Sequence, residues 1–145
     1  MSRREVGGLT RQDYAALAGF RYELRRFLAF SERAAASEGL PVQQHQALLA
    51  IAGHLGDQPP SVGQVAERLM IAPTTAAELT ARMVEAGLVR KQQSASDRRS
   101  MELILTEQAQ AALERLTQAH LHELRELEPA LAVALGRLSG RSEQG

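Results

Sequence analysis

The sequence predicts a mainly α-helical fold that contains one small β-hairpin. Apolar residues recur every three or four positions over most of the chain, which is the spacing of a helix face that packs against a core. Helix-ending glycines follow three of these stretches, at Gly39, Gly56 and Gly87. Two short extended runs lie between residues 88 and 105. A length of 145 residues and 44% apolar content, without a long apolar run, predict one compact domain and no membrane span.

Two helices are predicted before residue 60. The first covers Tyr14–Ala36, where apolar side chains recur at helical spacing, and it stops at Gly39 with Pro41 just beyond. The second runs from Val42 to about Leu55 and is closed by Gly56. Residues 57–60, which include two prolines, form a linker to the next helix.

Two short helices separated by a turn are predicted after this linker. Ser61 and Gln64 form a capping box, in which each side chain can accept a hydrogen bond from the other residue's backbone N–H, so a helix should begin at Val62. Pro73 is acceptable in the first turn of a second helix, and Gly87 ends that helix. The second helix places three apolar side chains inward, namely Ala76, Leu79 and Met83.

A β-hairpin follows directly, with extended runs at Leu88–Gln93 and Met101–Leu105. In the second run, Met101, Leu103 and Leu105 alternate with Glu102 and Ile104. The connecting loop, residues 94–100, is small and polar and carries Asp97-Arg98-Arg99 at its tip. Two short helices and then a hairpin with a cationic tip are the order of a winged helix-turn-helix, a DNA-reading unit in which this loop is the wing.

A long amphipathic stretch closes the chain after Thr106, a predicted N-cap. Leucines and alanines recur along it at helical spacing. Because proline is unfavourable inside a helix, we expect Pro129 to divide the stretch into one helix that ends near Glu128 and a second that starts there.

Residues 40–107 resemble the MarR family of bacterial transcriptional regulators. The resemblance is carried by GLVRK at 87–91, ASDRRS at 95–100 and LILTEQ at 103–108, and with the flanking helices it covers nearly the whole chain. In that family the second motif helix enters the major groove and a wing arginine enters the adjacent minor groove, and the wing Asp-x-Arg corresponds to Asp97 and Arg99. The resemblance implies a homodimer that represses or activates promoters, often in response to a small molecule or an oxidant.

The terminal helices carry apolar stripes that a domain of this size cannot easily cover alone. We expect 41–105 to be the DNA-binding region, and 1–40 with 106–145 to be a helical dimerisation region of the same compact domain. An isologous two-fold dimer would present two recognition helices about 34 Å apart, which suits a roughly palindromic site. The alternative is that the stripes pack within their own subunit. The predicted dimerisation residues are Leu17, Phe20, Leu24, Leu127, Leu131, Leu135 and Leu138.

The chain is electrically neutral, with 17 basic and 17 acidic residues, so charge alone does not predict DNA binding. Its distribution is more informative, because the segment 82–99 is locally cationic. Asp97 is predicted to orient the wing, and Arg82 is a candidate ion-pair partner for it. Two alternatives remain open: Thr74 could cap its helix, and Arg98 and Arg99 could simply belong to a solvated turn. The predicted DNA contacts are Thr74, Thr75, Ala77, Glu78, Arg82, Arg90, Lys91, Arg98 and Arg99.

Glu78 departs from the family pattern, in which many relatives have an arginine at this place. A carboxylate does not bind phosphate, although it can accept a hydrogen bond from a cytosine amino group. Glu78 and the neutral charge leave open a second hypothesis, a winged helix that has lost DNA affinity and binds another protein.

The sequence contains no motif that indicates another class of function. The chain has no cysteine, which excludes disulfides and thiol-based sensing, and it has no glycine-rich phosphate loop, HExxH or GxSxG. His122 and Glu126 are spaced to share a metal ion, but a surface hydrogen bond is the commoner use of such a pair. We therefore predict no enzyme activity, no cofactor and no metal site.

The sequence gives weaker evidence about a ligand response and about where in the cell the protein is located. A small-molecule effector is implied by the resemblance alone, and its pocket is not identified. Tyr14, Phe20, Phe27, Phe30 and His45 lie on elements that could line one, although core packing accounts for each of them. Residues 1–13 include two early arginines with no apolar stretch after them, so we expect no secretory signal and a cytoplasmic protein.

Overall fold

The computed structural model describes the backbone of residues 8–142 and the side chains of residues 8–138, and it confirms a mainly helical fold with one β-hairpin. Most of the N-terminal segment that bears on secretion lies outside this range. None of the described helices is long and apolar enough to cross a membrane. The elements in chain order are α1 (Arg11–Ser37), α2 (Val42–Ala52), α3 (Val62–Leu69), α4 (Pro73–Glu85), β1 (Val89–Gln93), β2 (Met101–Leu105) and α5 (Glu107–Ser142).

The chain divides into two compact units. Ala34–Gln118 form the winged-helix unit, which contains α2, α3, α4, the hairpin, the end of α1 and the start of α5. Of the described residues, 8–33 and 119–142 form the helical unit. The winged-helix unit thus extends beyond the predicted range 41–105 at both ends.

The core of the winged-helix unit lies between α2, α3, α4, the hairpin and the start of α5. Its most deeply buried large side chains are Leu48, Met83, Val89 and Leu103. The predicted inward face of α4 is confirmed, because Ala76, Leu79 and Met83 are all buried. That packing directs the opposite face of α4 to the surface.

Local signals place the start of α3, the end of α4 and the start of α5 as predicted. Ser61 Oγ accepts a hydrogen bond from the Gln64 N–H at 3.2 Å, and Gln64 Oε1 accepts one from the Ser61 N–H at 2.9 Å, which completes the capping box of α3. Gly87 has a φ of 75°, a conformation in which glycine avoids the strain of a side chain. Thr106 Oγ1 accepts from the Ala109 N–H at 3.2 Å, so the predicted N-cap of α5 is also present.

Three predictions about the elements are wrong. α5 continues through Pro129; proline removes only one helical hydrogen bond, and side chains buried on both sides of it, Leu127 and Ala134, hold the helix together. α2 ends at Ala52 rather than near Leu55, because the Gly53 N–H makes the last i→i−4 hydrogen bond, to Leu49 O, and the His54 N–H bonds instead to Ile51 O, three residues back.

The third error concerns β2, where the expected alternation of buried and exposed residues is absent. Glu102 is buried, whereas Met101 is exposed. The linker before α3 adds a short third segment to the hairpin, since Leu103 N–H donates to Pro60 O at 2.8 Å and Ser61 forms a bridge with Glu102. This segment covers Glu102, whose carboxylate accepts a hydrogen bond from Gln92 Nε2 at 3.3 Å.

The helical unit contains a buried polar contact in an aromatic setting. His120 Nε2 lies 2.7 Å from Ser31 Oγ, and the Phe27 and Phe30 rings meet its imidazole edge-on. Large apolar side chains of the same unit are exposed in the single chain, among them Leu17, Leu24, Leu121, Leu124, Val133 and Leu135.

Candidate nucleic-acid interface

The outer face of α4 is the first part of the candidate site. Thr74 and Thr75 lie in the first turn of this helix, and both are exposed. Neither caps the helix, because the N-cap is Ala72 and no side chain makes a capping hydrogen bond there. Their hydroxyls and the N–H groups of the first turn therefore face the surface, where such groups can bind a phosphate or a base edge.

Glu78 lies near the middle of this face, and its immediate exposed neighbours Ala77 and Ala81 are small. Arg82 follows one turn later at a spacing that allows an ion pair. Within residues 8–138 no hydrogen bond or ion pair joins the two side chains. The face thus presents a carboxylate and a guanidinium about one helical turn apart, each available to a partner.

The hairpin is the second part of the candidate site. β1 pairs antiparallel with β2, with Arg90 opposite Ile104 and Lys91 opposite Leu103. Both basic side chains are exposed on β1. They place positive charge along the strand that leads from the end of α4 to the wing.

The wing tip is shaped by Asp97. Its carboxylate accepts a hydrogen bond from the Arg99 N–H at 3.0 Å, and its backbone oxygen accepts one from the Ser100 N–H at 3.0 Å. In the part of the chain that the structure describes, Asp97 makes no ion pair with Arg82. Asp97 therefore organises the tip through its own turn, and Arg98 and Arg99 lie exposed on that turn.

Sequence reasoning missed Gln58, which contacts the wing from the linker, and the role of Ser94 within the wing. Gln58 Oε1 accepts hydrogen bonds from Ser94 Oγ at 3.4 Å and from Ser96 Oγ at 3.0 Å. Ser94 is buried, although it stands in a polar loop. Because Gln58 and Ser94 are 36 residues apart, no local pattern could have paired them.

An ion pair ties the end of α1 to the start of α5 within the winged-helix unit. Arg115 donates two hydrogen bonds to the Glu38 carboxylate, each of 2.9 Å. This hydrogen bonding, with the guanidinium charge, holds the pKa of Glu38 below its usual value of 4.5. The pair lies outside the candidate interface and links helices that support it.

The predicted dimerisation residues fall into three groups by exposure. Leu17, Leu24 and Leu135 are exposed in the single chain, and Phe20, Leu131 and Leu138 are partly buried. Leu127 is only 2% exposed, so it packs inside its own subunit. Among the described residues, no group of three or more histidine or acidic side chains is placed to hold a metal ion, so His122 and Glu126 are not part of such a group.

Comparisons with known proteins agree with this architecture. Residues 38–100 match the model of the MarR family. No curated protein matches the sequence.

Solved structures extend the likeness to the whole fold. AbsC, a MarR family transcriptional regulator from Streptomyces coelicolor, is 22% identical, with 94% of this chain and 95% of that chain covered and a TM-score of 0.71. A MarR family protein from Bacillus stearothermophilus is 18% identical, with 94% and 96% covered and a TM-score of 0.70. A mutant of MepR from S. aureus, bound to an oligodeoxyribonucleotide, is 18% identical, with 90% of each chain covered and a TM-score of 0.62. Residues 38–100 are therefore a MarR-family winged helix, in a chain that has the fold of that family's transcriptional regulators.

Proposed function

We propose that the protein is a DNA-binding transcriptional regulator that acts as a homodimeric repressor on a roughly palindromic operator. The observation that carries the proposal is the exposure, in one winged-helix unit, of both elements that such a unit uses on DNA. All nine predicted contact residues, on α4, β1 and the wing, lie at the surface of the single chain. A MarR-family fold for the same chain supports this use of the surface.

In the proposed complex, α4 enters the major groove by its N-terminal half. Thr74 and Thr75 contact phosphate or base edges, and Ala77 allows the helix to approach closely. Glu78 accepts a hydrogen bond from a cytosine amino group, because a carboxylate in the groove is repelled by phosphates and lacks a donor. The operator should therefore carry a cytosine where Glu78 reaches a base.

The wing supplies the electrostatic part of the contact. Arg98 and Arg99 insert toward the adjacent minor groove, whose negative potential attracts guanidinium groups. Arg90 and Lys91 project from opposite faces of β1, so each would contact a different phosphate beside that groove. These local charges act at short range, so a chain with no net charge can still bind DNA.

A second copy of the chain is proposed to cover the exposed leucines of the helical unit. Leu17, Leu24 and Leu135 are roughly half-exposed in the single chain, which is costly for apolar side chains grouped in one unit. An isologous dimer would bury them on both copies and set two recognition helices about 34 Å apart. A cytoplasmic small-molecule effector would then release the operator by favouring a different spacing of the two helices.

Electrophoretic mobility shift with the DNA that flanks the protein's own gene tests the proposal. Wild-type protein should bind a specific segment, and Arg98→Ala and Arg99→Ala should each weaken binding. Because a dimer loses two contacts for each substitution, the slope of log affinity against log salt should fall by about 1.8 if both contacts are to phosphate. Arg33→Ala, an exposed arginine of the helical unit on the side of α1 away from Leu17 and Leu24, is the matched control and should bind as wild type.

One outcome would contradict this function, and another would contradict the wing contact alone. Folded, dimeric protein that binds no DNA at low salt would refute it and favour a protein-binding module, the alternative that the unpaired Glu78 carboxylate and the neutral charge support. Specific binding that is unaffected by removal of both tip arginines would refute the wing contact alone.

A further inference from the structure

Hydrogen bonds join the linker between α2 and α3 to the loop of the wing. Gln58 Oε1 accepts from the hydroxyls of Ser94 and Ser96, at 3.4 and 3.0 Å. An amide oxygen has two lone pairs, so both bonds can form together. One exposed side chain of the linker thus holds two points of the wing loop.

Ser94 also makes hydrogen bonds to the turn that carries Arg98 and Arg99, and so connects Gln58 to that turn. Its hydroxyl oxygen also accepts hydrogen bonds from the N–H groups of Ser96 and Asp97, each at 3.3 Å. Ser94 is 5% exposed, so water does not readily replace these partners. The orientation of this one hydroxyl therefore links Gln58 to the backbone of the tip.

The linker itself is anchored and stiff. Pro59 and Pro60 follow Gln58 and restrict its backbone, because the proline ring holds φ nearly constant. Pro60 is buried, and its oxygen accepts the Leu103 N–H at 2.8 Å. Gln58 is therefore two residues from a point that is fastened to β2, the second strand of the same hairpin.

Further hydrogen bonds within the hairpin hold the backbone of the two tip arginines. Gln93 Nε2 donates to Arg98 O at 2.9 Å, and Asp97 accepts the Arg99 N–H at 3.0 Å. A polar loop without these bonds would sample many conformations, and binding DNA would have to order it at an entropic cost. The bonds form without DNA present, so that ordering is achieved in advance.

We propose that Gln58 is a positioning residue that holds the wing in its DNA-binding conformation through Ser94 and Ser96. This inference rests on the proposed function, since the wing arginines are the groups that it positions. Gln58 itself need not touch DNA; its effect passes through Arg98 and Arg99.

A double-mutant cycle on DNA affinity tests this role. Gln58→Ala should weaken operator binding by the dimer about ten- to a hundredfold, which is about three- to tenfold for each subunit, the range for losing one or two net hydrogen bonds that pre-order the loop. If Gln58 acts through the wing, adding Gln58→Ala to Arg99→Ala should weaken binding by less than that factor. Gln46→Ala, an exposed glutamine on α2 of the same unit, is the matched control and should bind as wild type.

Amide hydrogen exchange of the DNA-free protein supplies a second readout. Gln58→Ala should speed exchange at Ser96 and Asp97, whose N–H groups bond to Ser94 Oγ, and leave the melting temperature unchanged. Ser96→Ala should act in the same direction, whereas Ser96→Thr, which keeps the hydroxyl, should behave as wild type.

The outcomes separate the two proposals. Wild-type protein that does not bind DNA would overturn the proposed function and the positioning role with it. Specific wild-type binding, combined with fully additive losses in the cycle or with unchanged exchange in Gln58→Ala, would overturn the positioning role alone.

Discussion

Replacing Met70 with glycine should stabilise the protein, although the substitution removes a large apolar side chain. Met70 is the C-cap of α3, in the turn before α4, and it has a φ of 58°. It is the only described residue other than glycine with a positive φ. The left-handed conformation brings its Cβ close to the backbone, whereas the side chain is 91% exposed and contributes little packing.

The size of the effect follows from two opposing terms. A non-glycine residue in the left-handed region costs about 1–2 kcal/mol, which Met70→Gly removes. The more flexible glycine loses about 0.5–1 kcal/mol of that gain to the unfolded state. The free energy of unfolding should therefore rise by about 0.5–1 kcal/mol, or roughly 2 °C in melting temperature for a chain of this size.

Denaturant unfolding of three proteins at one concentration checks the reasoning. Met70→Ala is the decisive control, because it removes the exposed side chain but keeps the Cβ and its strain. We expect Met70→Ala to lie within about 0.5 kcal/mol of wild type and Met70→Gly to exceed both. A glycine variant no more stable than the alanine variant would refute the argument from backbone strain.

Three further predictions concern other features of the winged-helix unit. Glu78→Gln should shift the preferred base from cytosine to adenine, with a discrimination of about 1–3 kcal/mol in binding-site selection, since glutamine pairs with the adenine edge; an unchanged preference would show that Glu78 reads no base. Ser61→Ala should lower the free energy of unfolding by about 1 kcal/mol in denaturant unfolding, because the Gln64 N–H loses its acceptor; no loss would mean that the capping box is not stabilising. The pKa of Glu38 is lowered by Arg115, so the stability that the pair contributes is present above pH 4.5 and is lost as the pH falls through the lowered pKa. Wild type should therefore lose its advantage over Glu38→Gln in acidic melting experiments, and a constant difference would contradict this.

Much of the winged helix could be predicted from the sequence because its signals are local. The capping box joins Ser61 to Gln64, and the left-handed turn at Gly87 depends on that residue alone. Such signals depend on residues within one helical turn or one β-turn, so they can be recognised in the sequence without knowledge of the fold. The left-handed conformation of Met70 is the exception. It depends on how the turn joins α3 to α4, and methionine is not a residue type that indicates this conformation.

Predictions from longer patterns were less reliable, since neighbours distant in the sequence override them. Pro129 predicts a break by its own chemistry, but packing on both sides keeps α5 continuous. The sequence pattern predicts that Glu102 faces solvent from its strand, but in the structure the linker before α3 buries it. In both cases the prediction omitted a contact that only the folded chain provides.

By itself, the sequence determined the order of the helices and strands up to the start of α5, the surface position of the α4 and wing residues, and the absence of cysteine. Only the tertiary structure decided how the wing is held, through Gln58 and Ser94, and that Asp97 bonds to its own turn instead of to Arg82. The physical reason is the range of the interactions: helical periodicity and caps involve residues a few positions apart, whereas a side-chain hydrogen bond across 36 residues depends on where the whole chain packs.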